Sequence, residues 1–399
     1  MTPHPPASAR RDATALAGLR VADFSRVLAG PYATMLLADL GADVIKIESP
    51  AGDDTRTWIP PVDASGRGTY FASVNRNKRS TICDLATEKG RARALALVST
   101  ADVVVENFKP GTMERFGLGY EHLRELNPGL VFCSITGFGS GEGAALPGYD
   151  LLVQAVGGLM SITGPADGEP TKVGVALVDV LTGLHAVVGI QAALENRHRT
   201  GRGQRVDVNL LSTLLASLVN QSTGTLATGE VPPRLGNAHP SIAPYESFRA
   251  SDGSLIIAVG NDRQFTALCR VLGDPVGTGS GNGLSDDARF ATNSGRVSHR
   301  AELVRAIEFR LAANTVAHWV DALTAAGVPA GPVNSIRDAL DLAESLGLDP
   351  VVTIGAGDRQ QRLMANPIGL SDTPPTYRAA PPDLGEHGGA TWLGDASNG

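Results

Sequence analysis

Residues 20–48 read RVADFSRVLAGPYATMLLADLGADVIKIE and predict a strand, a helix and a second strand. The strands are predicted at residues 20–24 and 43–48. Between them, Pro31 stands at the first turn of a helix that runs to Leu40, and Gly41 ends it. Two consecutive strands that are joined by a helix lie parallel in one sheet, so this unit predicts an α/β fold.

The same alternation continues along the first half of the chain. Further strands are predicted at residues 81–85, 101–106, 130–135 and 204–209, and further helices at residues 88–99, 120–126, 181–199 and 210–219. Strands that alternate with helices favour a doubly wound, Rossmann-like α/β domain, which we place at residues 16–220.

The composition changes after residue 220. A Gly-, Pro- and Thr-rich crossover precedes a predicted β-hairpin at residues 245–259 and three helical patterns, which together predict a smaller α+β domain at residues 225–335. Residues 336–399 are predicted to return to the large domain or to a partner subunit. The polar residues 1–15 are predicted to be a disordered tail, and the Gly/Ser-rich loop at residues 277–283 is predicted to be mobile.

Composition excludes several classes of partner. The 399-residue chain has a net charge of -7 and contains no Lys/Arg-rich block, which argues against a nucleic-acid or anionic-membrane partner. No apolar run reaches the roughly 18–20 residues needed to span a bilayer. The three cysteines are far apart, which favours free thiols in a reducing cytoplasm. The eight scattered histidines predict no metal site.

Residues 175–184, VALVDVLTGL, place Asp179 where an apolar run meets a helical pattern. An aspartate at this position is most often an N-cap, because its carboxylate accepts a backbone N–H from the first helical turn. The alternative is a nucleophilic carboxylate beside the positive end of the helix dipole. The local pattern alone favours the cap, and the motifs elsewhere in the chain favour the nucleophile.

Two further patterns have competing interpretations. Residues 137–143, GFGSGEG, follow a strand but lack the GxGxxG spacing, and Pro147 interrupts any helix behind them, so we predict a flexible loop beside a site. Neither GxxxxGK[ST] nor GxSxG occurs, which argues against a P-loop NTPase and an α/β-hydrolase.

The basic residues are either solvated surface charge or phosphate ligands, and they are Arg76, Lys78, Arg79, Lys109 and Arg115.

Taken together, the motifs resemble those of the class III coenzyme A-transferases, the family that includes formyl-CoA transferase and α-methylacyl-CoA racemase. The likeness extends over about residues 16–388, and its pieces lie at residues 16–31, 37–48, 77–80, 105–111, 148–150, 178–183, 200–204 and 327–333. It is greatest for the branch that uses succinyl-CoA with dicarboxylates such as glutarate or mesaconate.

The resemblance implies an activity and a set of site residues. An aspartate at the position of Asp179 would attack the acyl-CoA thioester, and an aspartyl-CoA thioester would pass CoA to a small acid. CoA is then a substrate, with no resident cofactor or metal, and two chains interlock as a homodimer. The basic clusters and the resemblance together predict these CoA-binding residues: Val27, Leu28, Ala29, Arg79, Asn107, Phe108, Lys109, Arg115, Tyr149 and Asp150.

Departures from the family pattern bear on the reaction. The racemase branch has a histidine where this chain has Tyr149, and proton exchange needs a His/Asp pair, so Tyr149 favours transfer. Leu28 replaces a glutamine of formyl-CoA transferase, and residues 236–245 replace its glycine-rich tetrad, which argues against formate and oxalate. Asn237 and His239 are predicted to contact the acid. The alternatives are an acyl-CoA racemase or epimerase and a catalytically silent CoA-binding protein.

Overall fold

The computed structural model describes residues 14–273 and 283–394. Residues 1–13 of the predicted tail and residues 277–282 of the predicted loop lie outside this part. The described chain forms two compact units. The first consists of residues 14–159, 172–230 and 347–394, and the second of residues 160–171, 231–273 and 283–346.

Helices and strands alternate over most of the first unit, and the elements of both units are numbered together in chain order. The strands are β1 (Arg20–Asp23), β2 (Asp43–Glu48), β3 (Lys78–Ile82), β4 (Val103–Glu106), β5 (Val131–Thr136), β6 (Arg205–Asn209), β7 (Tyr245–Arg249), β8 (Ser254–Ala258), β9 (Ala330–Pro332), β10 (Val351–Ile354) and β11 (Gln361–Met364). The helices are α1 (Ala29–Asp39), α2 (Thr69–Ser73), α3 (Glu88–Val98), α4 (Thr112–Arg115), α5 (Tyr120–Leu126), α6 (Asp150–Val156), α7 (Leu159–Ile162), α8 (Leu177–Thr200), α9 (Leu210–Ser217), α10 (Asn220–Thr228), α11 (Asp262–Val271), α12 (Asn293–Ser298), α13 (Arg300–Leu311), α14 (Val316–Ala325) and α15 (Ile336–Ser345).

The first unit is built on a six-stranded parallel sheet with the strand order β3-β2-β1-β4-β5-β6. Val21 of β1 pairs with Val44 on one side and with Val103 on the other. This confirms the predicted α/β fold with a parallel sheet. The strand order reverses between β1 and β4, and in such sheets ligands bind at the carboxyl ends of the strands on either side of the reversal.

Both faces of this sheet are covered by helices. Val21, Val44 and Val103 face a core that is shared with α1, α8 and α9. The alternating residues Ala22 and Val104 face a second core, which contains residues of α3 and α5. Burial of both faces explains why β2 and β4 have no exposed residues, and why both are rich in Val and Ile although β2 also contains Asp43, Lys46 and Glu48.

Helix α8 is a core helix of the first unit. Its residues Val178, Ala186 and Ile190 are fully buried against the sheet and α1. By length and composition alone α8 could also cross a membrane, contrary to the expectation that no run is apolar enough. Core helices of soluble proteins pass the same test, so this property does not by itself identify a membrane protein.

Gly183 allows α8 to approach the start of α1. A Cβ atom built at Gly183 would lie 2.6 Å from the Ala29 carbonyl oxygen. We expect Gly183→Ala to lower the free energy of unfolding by about 1–3 kcal/mol, because the backbone must shift although alanine favours helix. Chemical denaturation measures this. Gly224→Ala in α10 is the control, since a Cβ there meets no atom within 4 Å and is expected to stabilise the protein slightly; equal effects would contradict the prediction.

The C-terminal residues of the first unit run along the β3 edge of the sheet. The Asn77 N–H donates to the Ala379 carbonyl, and the His387 N–H donates to the Ser80 carbonyl. Trp392 is buried in the core beneath α3. This segment therefore occupies the edge that the parallel sheet would otherwise expose.

The second unit has its own antiparallel sheet and core. The hairpin predicted at residues 245–259 forms β7 and β8, and β9 pairs with the other side of β8. Phe248 and Leu255 of this sheet are buried with Leu268, Leu303 and Leu323 from the surrounding helices.

Candidate active site

A cavity of about 310 Å³ lies at the carboxyl ends of β1, β4 and β5, next to the reversal of strand order. Nine of the predicted site residues line it, and they are Val27, Leu28, Ala29, Asn107, Phe108, Lys109, Tyr149, Asp150 and Asp179. Residues that are up to about 150 positions apart in the sequence therefore meet at one site of the first unit.

Asp179 is the third residue of α8, and the N-cap of that helix is Ala176. The interpretation of Asp179 as the N-cap is therefore wrong. No described residue donates a hydrogen bond to the Asp179 carboxylate, which lines the cavity and is partly exposed there. An acidic side chain without a structural partner, at the positive end of a long helix, is available for chemistry.

Asp150 caps α8 from another helix. Its Oδ1 atom accepts hydrogen bonds from the Val178 N–H at 2.8 Å and from the Asp179 N–H at 3.1 Å. Its Oδ2 atom accepts from Gln154 Nε2 at 2.5 Å, and Gln154 Oε1 in turn accepts from the Val173 N–H at 2.9 Å. Asp150 thus satisfies helical N–H groups that an N-cap side chain would otherwise satisfy. The carboxylate of Asp179 is not needed as a cap.

The environment of Asp179 disfavours its ionised form. Burial, and second the charge of Asp150, raise the pKa of Asp179 to about 7. At this pH the carboxyl group is ionised in about half of the molecules, and its ionised form is more basic than that of an ordinary aspartate. Raised carboxyl pKa values of this size are common in active sites.

The raised pKa predicts a pH-dependent stability effect. The Asp179 carboxyl has a pKa of 3.8 in the unfolded chain and of about 7 in the folded protein. Ionisation of Asp179 therefore destabilises the folded state increasingly as the pH rises between these values, and the full effect is reached above pH 7. We expect Asp179→Asn to raise the melting temperature more at pH 8 than at pH 4. Glu88→Gln, in the exposed first turn of α3, is the control; an equal pH dependence in both variants would contradict this origin.

The segment after β1 is fixed by the segment after β4. The Arg26 N–H donates to Asn107 Oδ1 at 2.9 Å, and Asn107 Nδ2 donates to the Arg26 carbonyl at 2.7 Å. The Arg26 guanidinium lies over the Phe108 ring and pairs with exposed Asp54 at 3.3 Å. Arg26 was not predicted as a site residue, although it is a half-exposed cation on the cavity wall.

Glu106 holds the backbone of Phe108 by a hydrogen bond. The buried Glu106 carboxylate accepts hydrogen bonds from Ser134 Oγ at 2.5 Å and from the Phe108 N–H at 2.8 Å. Burial raises the pKa of Glu106 to about 7. The turn that bears Asn107 and Phe108 is therefore anchored to β4 and β5.

The basic residues at the start of β3 lie away from the cavity. Arg79 pairs with Asp43 at 2.7 Å and donates to the Thr391 carbonyl. Arg76 pairs with Asp39 at 2.6 Å, and Lys78 pairs with Asp23 at 3.0 Å. These cations neutralise acids within the fold, so they are not positioned as phosphate ligands. Arg115 is exposed on α4 beside Phe116 and does not line the cavity either.

Two aromatic residues near the site were not predicted. Tyr70 packs in a small cluster with Val27, Ala176 and Val180, and burial and then the charge of Asp179 raise its pKa. Trp58 contacts the Tyr70 ring edge-on at 5.1 Å. Trp58 begins a Pro-containing loop without periodicity and Tyr70 follows it, so no sequence signal linked them to Asp179.

A second, more apolar cavity of about 240 Å³ shares Arg26 and Phe108 with the first. Phe24, Ile47 and Phe116 contribute to its wall. Among the described residues, no cluster of three or more His, Cys, Asp or Glu side chains is arranged to hold a metal ion.

Asn237 and His239 lie in a loop of the second unit. The His239 Nδ1 atom accepts a hydrogen bond from the Ser241 N–H at 3.1 Å, and its ring contacts Tyr245. Arg300 donates to the His239 carbonyl at 2.6 Å. The loop is thus fixed within its own unit, and its part in substrate binding stays a prediction.

The model of CoA-transferase family III matches residues 16–388. The chain belongs to this family. The succinate–glutarate CoA-transferase of Agrobacterium fabrum is 46% identical over 383 residues, 93% of each chain. The succinyl-CoA:mesaconate CoA-transferase of Haloarcula hispanica is 42% identical over 384 residues, 94% of each chain. A CAIB/BAIF family protein from Brucella suis is 46% identical, with a TM-score of 0.83 over 94% of this chain and 98% of that one.

Membership confirms the resemblance inferred from the motifs. The protein is a family III CoA-transferase, an enzyme whose substrates are CoA thioesters. Its α/β fold is shared with the solved Brucella suis structure.

Proposed function

We propose that this CoA-transferase moves CoA from succinyl-CoA, or a similar acyl-CoA, to a small carboxylic or dicarboxylic acid through an aspartyl-CoA thioester on Asp179. The observation that carries the proposal is the unbonded Asp179 carboxylate on the cavity wall, freed from capping by Asp150. The names of the Agrobacterium and Haloarcula relatives support succinyl-CoA and a dicarboxylate as the substrate pair.

The reaction begins at the thioester carbonyl of the donor. An Asp179 carboxylate oxygen attacks this carbon, the C–S bond breaks, and the CoA thiolate leaves a mixed anhydride. The thiolate then attacks the Asp179 carbonyl carbon, which releases the donor acid and forms aspartyl-CoA. The acceptor carboxylate attacks this thioester in the same way, and the returning thiolate completes acceptor-CoA and restores Asp179. Asp179 lies in the first turn of α8, so the positive end of the dipole of this helix favours the negative charge that develops.

CoA binding is proposed for the first unit, beside Asp179. Val27, Leu28 and Ala29 lead into the start of α1, where backbone N–H groups attract anions. Arg26 and Lys109 add positive charge, and Asn107 and Phe108 add an amide and a ring face. The position of Tyr149 as the 66% exposed N-cap of α6 supports substrate contact. For the acid, Asn237 and His239 remain the proposed contacts.

The proposed assembly is a homodimer in the cytoplasm. Its support is the set of exposed apolar side chains on helices α6 and α8 of the first unit, including Leu151 at 54%, Val156 at 58% and Val188 at 68% exposure. Surfaces of this kind mark protein interfaces, and a second copy is the partner we propose. The three cysteines are buried free thiols, which is compatible with a reducing compartment. Light scattering on the purified protein tests the dimer, and a monomer would refute it.

The deciding experiment for the reaction is the intact mass of the protein after mixing with succinyl-CoA. The proposal expects an adduct equal to one CoA less one water, located on the Asp179 peptide and removed by hydroxylamine. CoA binding without an adduct, for succinyl-CoA and a panel of small acyl-CoAs, would contradict it. Hydrogen–deuterium exchange at the donor α-carbon without an acceptor acid would instead indicate a racemase.

A further inference from the structure

Val27 adopts an unusual backbone conformation on the cavity wall. Its φ angle is 70°, in the left-handed region that β-branched residues rarely enter. Such a conformation is strained and persists only where the surrounding structure imposes it. The residues that impose it therefore control the shape of this wall.

A buried ion pair holds the backbone on both sides of Arg26. Both Asp53 carboxylate oxygens lie 3.3 Å from the Val27 N atom. Lys46 Nζ pairs with Asp53 Oδ2 at 2.9 Å and donates to the Ser25 carbonyl at 2.8 Å. Lys46 and Asp53 are each 1% exposed, so this pair is part of the interior.

Asp53 is itself held in one orientation. It accepts hydrogen bonds from the Thr55 N–H at 3.0 Å and from the Thr55 hydroxyl at 2.7 Å. Burial favours its neutral form, but the Lys46 charge and these hydrogen bonds keep the pKa of Asp53 below its usual range. Asp53 is therefore a fixed anion under the Val27 N–H.

The neighbouring charges have partners of their own. Asp23 pairs with Lys78 at 3.0 Å, and Glu48 pairs with Arg56 at 2.8 Å. Removing Lys46 and Asp53 together therefore leaves no neighbouring acid without a cation. Buried pairs that are replaced as a pair often leave stability almost unchanged, whereas loss of one partner is strongly destabilising.

We propose that the Lys46–Asp53 pair positions the Ser25–Ala29 segment for CoA binding. Lys46 lines neither cavity and Asp53 lines only the second, so both act through the backbone of Ser25 and Val27. Asn107 fixes the backbone of Arg26, between Ser25 and Val27, through two further hydrogen bonds. This inference rests on the proposed use of the first cavity by CoA.

The test is the dissociation constant of free CoA, measured by calorimetry on wild type and on the double variant Lys46→Met/Asp53→Ala. We expect at least tenfold weaker binding by the double variant. Val27→Gly is then added to wild type and to the double variant. The difference in CoA affinity between these two proteins should be less than threefold, because glycine adopts a φ of 70° without strain. A role in stability alone would give no such recovery.

The control removes a buried pair that does not touch the segment. Arg76 and Asp39 are 2% and 0% exposed and pair at 2.6 Å. Arg76→Met/Asp39→Ala should lower the melting temperature, because Asn77 and Asn366 also donate to Asp39 and lose their acceptor. The CoA dissociation constant should stay within threefold of wild type. An equal loss of CoA affinity in this control would overturn the inference.

Two further outcomes separate this inference from the proposed function. Wild-type protein that does not bind CoA would overturn both. Wild-type binding, with the folded Lys46/Asp53 double variant binding within threefold of it, would overturn the inference alone. If the double variant does not fold, Asp53→Asn provides the test, because it keeps the shape of the side chain. We expect this variant to bind CoA at least threefold more weakly, and Val27→Gly to restore the affinity. Unchanged binding by Asp53→Asn would overturn the inference.

Discussion

Replacement of Asp179 by alanine is expected to lower kcat for CoA transfer by at least about 10⁴-fold, because the proposed reaction has no route without its nucleophile. CoA should still bind with a dissociation constant within about threefold of wild type, since the rest of the cavity wall is unchanged. Steady-state transfer from succinyl-CoA to glutarate measures the first effect, and calorimetry with CoA measures the second.

Two companion variants sharpen this experiment. Asp179→Asn keeps the size of the side chain and removes its charge, so it should be as inactive as the alanine variant and form no CoA adduct. Glu88→Gln changes an exposed carboxylate in the first turn of α3 and should leave turnover unchanged. Wild-type turnover in Asp179→Ala would eliminate the aspartyl mechanism.

The second large effect is expected for Asp150→Ala. The change leaves the Val178 and Asp179 N–H groups without their acceptor at the start of α8. We expect the free energy of unfolding to fall by about 2 kcal/mol, because these bonds are made to a charged group. We expect kcat to fall by about 100-fold, because a small displacement of the nucleophile is enough for such a loss. Denaturation and steady-state kinetics measure the two effects.

Asp150→Asn separates charge from position. The amide oxygen still accepts from the first turn of α8, but the negative charge beside Asp179 is gone. The charge of Asp150 is the smaller cause of the raised pKa of Asp179, and burial remains the larger one. Since the nucleophile must be ionised, the rise of kcat/KM with pH should move to lower pH than in wild type, where it is expected near pH 7. A rise at the same pH, or at higher pH, would contradict the coupling.

The parallel sheet was predictable because its strands are buried on both faces. Residues 103–106 begin with three valines, and residues 43–48 contain Val44, Ile45 and Ile47 beside three charged residues; these β-branched residues mark β4 and β2. The meeting of the segments after β1 and β4 follows from the strand order, which the βαβ pattern indicates but does not determine. The motifs supplied the remaining site residues.

The roles of individual charges could not be derived from local sequence. Asp179 resembled a cap because its actual substitute, Asp150, lies 29 residues earlier on another helix. Arg76, Lys78 and Arg79 resembled a phosphate-binding cluster, but their acids are supplied by α1, β1 and β2. Whether a charged residue stabilises the fold depends on which distant residue it pairs with. A single sequence does not show these pairs.

The path of the C-terminal residues along β3 has a consequence for biosynthesis. A ribosome must translate the whole of residues 231–346 before it makes the residues that bond to Asn77 and Ser80. Until then, the growing polypeptide carries a β3 edge with free backbone groups, which other nascent chains can join. Chaperones that shield this edge during translation should therefore raise the yield of active enzyme, and premature termination before residue 376 should yield an aggregating product.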